Sequence, residues 1–286
     1  MIAAYMLNMS PPNENSPNWY KNFHNIFWFS QLTNVLFLSY MQTYVETDET
    51  LKRISPDKSV SDYLDYIIKK FSNNNKNIEE TLPYLGVSCD LPKEVDIKLE
   101  DLKKLCGSDS WYDIMRGFLN IWDFLFLFSA FESAMKQALD CERLKGAHII
   151  QTIRKKIGPI TSGTHMEQIE NCLWPFFCDV RNLYSHSHGI VNPSDLEKLK
   201  ESIENAHEFT ENPAAGMKKQ FEEMDENEKL YCLSRLTENT FFKEDTFDSA
   251  RILEGNFFFI SDQELNIFRN IISDICSGIN NNSGRE

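Results

Sequence analysis

Asp179-Val180-Arg181-Asn182-Leu183-Tyr184-Ser185-His186-Ser187-His188-Gly189 follows directly on Ile169-Glu170-Asn171-Cys172-Leu173-Trp174-Pro175-Phe176-Phe177-Cys178. The second, apolar stretch reads as a buried helix, and Gly189 is a natural place for that helix to stop. An arginine, an asparagine and two histidines lie within eight residues, right behind a buried support. Such a support holds a fixed charge and a group titrating near neutral pH in one place.

Helical geometry sorts these side chains. Asn182 and His186 are four residues apart and share a face, so the amide could orient an imidazole or a ribose. Arg181 and His186 are five apart, about 140° around a helix of 3.6 residues per turn. A single helix therefore sets them apart. His188, four residues after Tyr184 and seven after Arg181, shares a face with both. The bland alternative is an arginine capping a helix C-terminus with exposed histidines beside it.

Arg181-Asn182-x-x-x-His186 resembles the Arg-x4-6-His motif of the HEPN superfamily. These are all-helical domains, many of them metal-independent RNases. The asparagine after the arginine, the buried helix before it and the small residue behind it all match. The departure is the second histidine: His186 satisfies the x4 spacing and His188 the x6 spacing. His186 is preferred as the catalytic one. The resemblance covers the chain from about Ser110 onward. It implies an endoribonuclease that leaves 2′,3′-cyclic phosphate and 5′-hydroxyl ends. It also implies a homodimer in which two motifs meet to make one composite site, and a setting in defence or toxin–antitoxin systems. The chemistry needs a base for the 2′-hydroxyl, a proton for the leaving oxygen and positive charge on the phosphorane. His186 supplies proton transfer, and Arg181 can hold two phosphate oxygens. No cofactor and no metal takes part.

Glu132 continues the stripe of Phe118 and Leu125 on the most apolar helix. A carboxylate there is costly unless paired. Arg181 is the expected partner, because many HEPN members carry a polar residue on a neighbouring helix that touches the motif. The bland reading is a surface pair with Lys136 one turn on. Arg154-Lys155-Lys156 and Lys218-Lys219 are the clearest basic spots, and the first is a weak candidate for gripping an RNA backbone. It also stands at a predicted helix C-terminus, where positive charge is favourable in any case. Cys172, Cys178, His186 and His188 fit no usual zinc spacing. The chain has no Gly-rich phosphate loop and no Gly-x-Ser-x-Gly elbow.

Composition narrows the class. The chain has 286 residues, of which 42% are hydrophobic, and its 21 Phe suit a bulky helical core. With 11 Gly and 10 Pro it is a poor match for a turn-rich all-β fold. A formal net charge of -14 argues against a protein that coats nucleic acid through bulk positive charge. It leaves room for a local basic pocket. The 7 cysteines are scattered without Cys-x2-Cys, which predicts reduced thiols in the cytoplasm. The first residues lack the pattern of a signal peptide, and Asn120 and Asp123 interrupt the most apolar run, so no membrane span is expected.

In chain order, residues 1–17 are expected to be a loose leader. A buried helix runs from Trp19 to about Tyr44, with Ser16 or Asn18 as its cap and Pro17 in its first turn. A second helix follows from Ser55 to Phe71, then a polar loop at 72–77, then short helices to 108. The longest helix spans Ser110 to about Arg143, and another spans Lys145–Ile157, stopped by Gly158-Pro159. The motif helix covers about His165 to His188. After Asn192-Pro193 a charged amphipathic helix reaches about Phe209. Residues 214–246 are acidic, with a helix near Glu228–Leu236. A short hairpin or strand is expected at 252–260. Ser261 and Glu264 form a capping box for a helix to about Cys276, and a disordered tail begins at 280.

The sequence thus predicts an all-α, HEPN-like bundle at 109–279, with a helical N-terminal extension at 1–108 and a tail at 280–286. The leading expectation is a metal-independent endoribonuclease acting on RNA as a homodimer, with an antitoxin or regulatory protein as a further partner. The alternatives are a non-catalytic dimerisation or binding module with an inert motif, and a regulatory protein whose acidic surface docks a basic partner.

Overall fold

The computed structural model describes residues 9–54, 99–108, 111–157, 166–167, 169–211 and 247–283. The expected elements at 55–98, at 158–165 and at 212–246 lie outside these residues. The described chain is helical: α1 (Asn18–Ile54), α2 (Leu99–Cys106), α3 (Trp111–Ala138), α4 (Ile149–Ile157), α5 (Trp174–Ser187), α6 (Pro193–Glu211) and α7 (Asp262–Ser283). The all-α expectation holds for the described residues.

Two compact units divide the chain, one of residues 1–4 and 35–116, the other of residues 5–34 and 117–286. The expected boundary at 108/109 differs from this division, because the first half of α1 belongs to the second unit's core. Within the first unit, α2 ends on Gly107 at φ 65, with Ser108 N–H donating to the Lys103 carbonyl at 3.2 Å. That is a glycine-type helix stop. Burial raises the thiol pKa of Cys106 there.

The second unit is built around aromatic residues of α3. Ile121, Phe124, Leu127, Phe128, Phe131 and Met135 are buried at spacings of three and four. The Phe128 ring stacks on Trp174 of α5 at 5.4 Å and on Phe268 of α7 at 5.9 Å. Phe23 of α1 meets Phe131 edge-on at 6.2 Å. Each such pair adds about 0.5–1.5 kcal/mol beyond the apolar area it hides. By length and composition α3 is apolar enough to cross a membrane. Part of that apolarity serves these core contacts, while Trp122 and Phe126 of the same helix are exposed. The two polar residues in its apolar run are buried and satisfied. Asp123 accepts from Ser30 and from the buried Arg269, and Asn120 donates to Asp262 at 2.9 Å.

Several element ends differ from expectation, each for a local reason. Residues 9–17 are not a loose leader: Met9 is buried, and the Tyr20 hydroxyl donates to the Ser10 carbonyl at 2.6 Å. The carbonyl of Pro17 starts α1 by accepting from Lys21 N–H at 3.1 Å, while Ser16 is used in the preceding turn, accepting from Asn13 N–H at 2.9 Å. α1 then runs to Ile54, ten residues past Tyr44. α3 stops at Ala138, short of Arg143, because Asp140 turns left-handed at φ 46 and Cys141 N–H closes on the Lys136 carbonyl at 3.0 Å. α7 continues to Ser283 with Ile279 and Asn280 buried, where a disordered tail was expected from 280.

The capping box forms as expected: Ser261 N–H donates to Glu264 Oε2 at 2.8 Å and Glu264 N–H to Ser261 Oγ at 3.2 Å. The expected hairpin or strand at 252–260 does not form: residues 254–256 turn, with Gly255 at φ 81. Among the described residues the segment's only β-bridge is an antiparallel one to the chain behind the motif helix, between Ile190 and Phe257. Phe257 packs edge-on against Phe118 and Phe258 against Phe176, so the aromatic run serves the helical core and not a sheet.

Candidate functional site

The motif helix is positioned by its apolar face. Trp174, Phe176, Phe177, Val180 and Leu183 of α5 are buried, and the Trp174 indole N–H donates to the Gly146 carbonyl at 2.9 Å. Ahead of α5 the chain winds wider, as a π turn over Ile169–Leu173. Pro175 gives the reason: it has no N–H for the carbonyl four residues back, and its ring crowds the preceding turn. Over the described residues the predicted helix from His165 to His188 is helical at Met166 and Glu167, a π turn over Ile169–Leu173, and an α-helix that ends at Ser187.

The polar face carries the motif. Asn182, Ser185, His186 and His188 are exposed and Arg181 is half-buried. Arg181 Nη1 donates to Asn182 Oδ1 at 3.2 Å. The amide expected to orient His186 is therefore joined to the guanidinium. The Ser185 hydroxyl turns back to the Arg181 carbonyl at 2.9 Å. Among the described residues no hydrogen bond joins Arg181 or Asn182 to either histidine.

Beyond the helix, His188 adopts the left-handed conformation (φ 52) and Gly189 follows at φ 85. Gly189 N–H donates to the Leu183 carbonyl at 3.3 Å, closing the helix end. A side chain at 189 would run into the Tyr184 ring and come within 2.8 Å of Phe257, so the position requires glycine for space as well as backbone. The Tyr184 hydroxyl donates to the Phe258 carbonyl and so ties the motif helix to the segment at 256–258. The Ser187 hydroxyl donates to Asp195 Oδ2 at 2.7 Å and accepts from Asn192 at 3.0 Å. Asn192 also caps α6, accepting from Ser194 N–H at 3.1 Å and Asp195 N–H at 3.0 Å. Sequence reading passed over this link, although Asn192 ahead of Pro193 is its visible sign.

Electrostatics adds one relation. The Cys178 thiol is pushed up to about 12, by burial first and by the charge of Asp179 next, while Arg181 lowers it and Glu132 raises it. Burial likewise raises the carboxyl pKa of Asp179, opposed by a hydrogen bond from Ser202. Arg181 and Glu132 thus both act on one buried thiol. Glu132 nonetheless pairs with Lys136 at 2.8 Å, and the expected ion pair with Arg181 is not formed. The bland reading describes this residue.

The basic cluster at 154–156 is engaged in the same way. Arg154 binds Glu170 at 2.9 Å and Glu167 at 3.5 Å, and Lys156 donates to the Leu139 carbonyl at 2.7 Å. Only Lys155 of the three points to solvent without such a tie in the described structure. Lys218 and Lys219 lie outside the described residues. Cys172 and Cys178 form no disulfide, and no group of metal-ligating side chains occurs among the described residues.

What stands together is a planar cation tied to an amide, with a histidine one turn further on and a second at the helix end. A guanidinium can hold an anion and an imidazole can move a proton, and one helix by itself keeps Arg181 and His186 about 140° apart. Comparison with protein-family models, with curated proteins and with solved structures finds no match to the chain.

Proposed function

We propose that the chain is a metal-independent endoribonuclease of HEPN type, working in the cytoplasm on RNA. The observation that carries the reading is the Arg181–Asn182 pair beside exposed His186 and His188, on a helix whose opposite face is fixed in an aromatic core. In the proposed reaction a histidine takes the proton of the 2′-hydroxyl and that oxygen attacks phosphorus. The bond to the 5′-oxygen breaks, and the departing oxygen takes a proton from a second group. Arg181 holds the phosphorane oxygens, with Asn182 steadying the guanidinium.

One helix sets Arg181 and His186 about 140° apart. A homodimer with two motif helices at its two-fold axis resolves that: the arginine of one copy serves the histidine of the other. An antitoxin or other regulatory protein that covers the paired helices would silence the enzyme. The test is incubation of purified protein with RNA in EDTA, with analysis of product ends and light scattering alongside. Products bearing 2′,3′-cyclic phosphate and 5′-hydroxyl, from a dimer, support the reading. Intact RNA at high enzyme concentration overturns it.

A second reading is favoured by Ile190 and Leu253, exposed apolar residues on the segments flanking the helix end. Under it the domain is a dimerisation or binding module with an inert motif. Dimer formation without RNA cleavage is its signature.

A further inference from the structure

The backbone just after the motif helix is held from outside the helix. Val191 N–H donates to the Asn256 carbonyl at 3.0 Å, Gly255 N–H to the Val191 carbonyl at 2.8 Å, and Phe258 N–H to the Gly189 carbonyl at 3.1 Å. The Tyr184 hydroxyl adds a fourth tie, to the Phe258 carbonyl. These bonds surround two successive left-handed residues, His188 and Gly189. A non-glycine residue persists in that conformation only where its surroundings over-determine it.

The segment that does the holding is itself anchored on its far side. Glu264 is fully buried, and its carboxylate accepts from Phe247 N–H at 2.9 Å, from Ser261 N–H at 2.8 Å and from the Arg251 guanidinium. That guanidinium lies over the Phe258 ring, 5.5 Å from its centre. Contact therefore runs unbroken from Glu264 through Arg251 and Phe258 to Tyr184 and the histidine turn.

We infer that Tyr184, Arg251 and Glu264 are positioning residues: they form a latch that sets the backbone at 188–190 and so fixes where the motif histidines stand. Its bearing on catalysis rests on the nuclease reading; the latch itself does not. Tyr184→Phe removes one hydroxyl and keeps the ring against Gly189. Arg251→Lys keeps a charge for Glu264 but gives up the planar group over Phe258.

Both variants are examined by amide hydrogen exchange and by the NMR signals of the two imidazoles. Exchange at Gly189, Val191 and Phe258 is expected to quicken about fivefold or more, as loss of one net hydrogen bond predicts. Exchange at Phe128 and Phe177 in the core stays put, and the His188 imidazole signal shifts. In a cleaving parent, kcat falls and KM holds. Unmoved turn amides and imidazole signals in both variants overturn the latch, whether or not the parent cleaves RNA. Quickened exchange with kcat unchanged in a cleaving parent overturns the positioning role. A parent that fails to cleave sinks the nuclease reading alone, and the exchange and imidazole signals still decide the latch.

Discussion

Glu132 binds Lys136 at 2.8 Å, one turn further along α3, and leaves Arg181 to Asn182. The carboxylate is shielded, with 17% of its side chain exposed, but its partner is 36% exposed and reaches water. A pair of this kind contributes only a few tenths of a kcal/mol. Glu132→Ala is therefore expected to cost about 0.5 kcal/mol in urea unfolding, against about 3 kcal/mol had it been the sole partner of a buried arginine. A loss near the larger figure, or a collapse of RNA cleavage, would return Glu132 to the site.

Gly189 is a sharper structural test. At φ 85 a side chain is strained, and one here also meets Tyr184 and Phe257. Gly189→Ala combines a backbone penalty with overpacking, which together come to about 2–3 kcal/mol. Thermal or urea unfolding checks it. A variant within about 0.5 kcal/mol of the parent, the usual span of a surface change, means that the turn relaxes freely.

Alkaline pH addresses Cys178, whose thiol ionises near 9.0 when exposed and at about 12 in the fold. Between those values the unfolded chain loses its proton while the native chain keeps it. The unfolded state then binds fewer protons, so stability falls as pH rises through that window. Below pH 9 the contribution is fully present. Cys178→Ala removes the effect, so the stability gap between parent and variant should narrow as pH climbs from 9 upward. A constant gap from pH 8 to 10.5, measured by urea unfolding, would mean that the thiol ionises in the fold as readily as outside it.

The motif itself is tested on one RNA in EDTA. His186→Ala should lower cleavage by about 10²-fold or more, the usual share of a general acid–base group, with the melting curve kept because the side chain is exposed. Arg181→Lys should recover little, since a point charge cannot make the paired contacts of a planar fork. His188→Ala should weaken cleavage without abolishing it. A dead His188→Ala beside an active His186→Ala would move the base to the x6 position. Parental rates in both would leave the binding module as the reading that stands.

The sequence by itself determined the all-helical class and the place of the motif on its helix. Phe124, Phe128 and Phe131, and Leu265, Phe268 and Ile272, recur at helical spacing, and that periodicity is a local property of the chain. Ser261 and Glu264 were legible for the same reason, because a capping box closes within four residues.

Only the tertiary structure decided the partners. Phe257, Phe258 and Phe259 form an unbroken apolar run, and nothing local says that Phe257 would bridge Ile190 and that the Phe258 N–H would reach the Gly189 carbonyl, over 60 residues away. The partner of Glu132 was likewise open between Lys136 and Arg181, since both stand within reach of an apolar stripe in sequence terms. Asp123 reads as a flaw in an apolar run until Ser30 and Arg269 arrive from two other helices. Hydrogen bonds and ion pairs between distant segments form only where packing brings donor and acceptor to within about 3 Å. That distance is set by the whole core, and no short stretch of the chain encodes it.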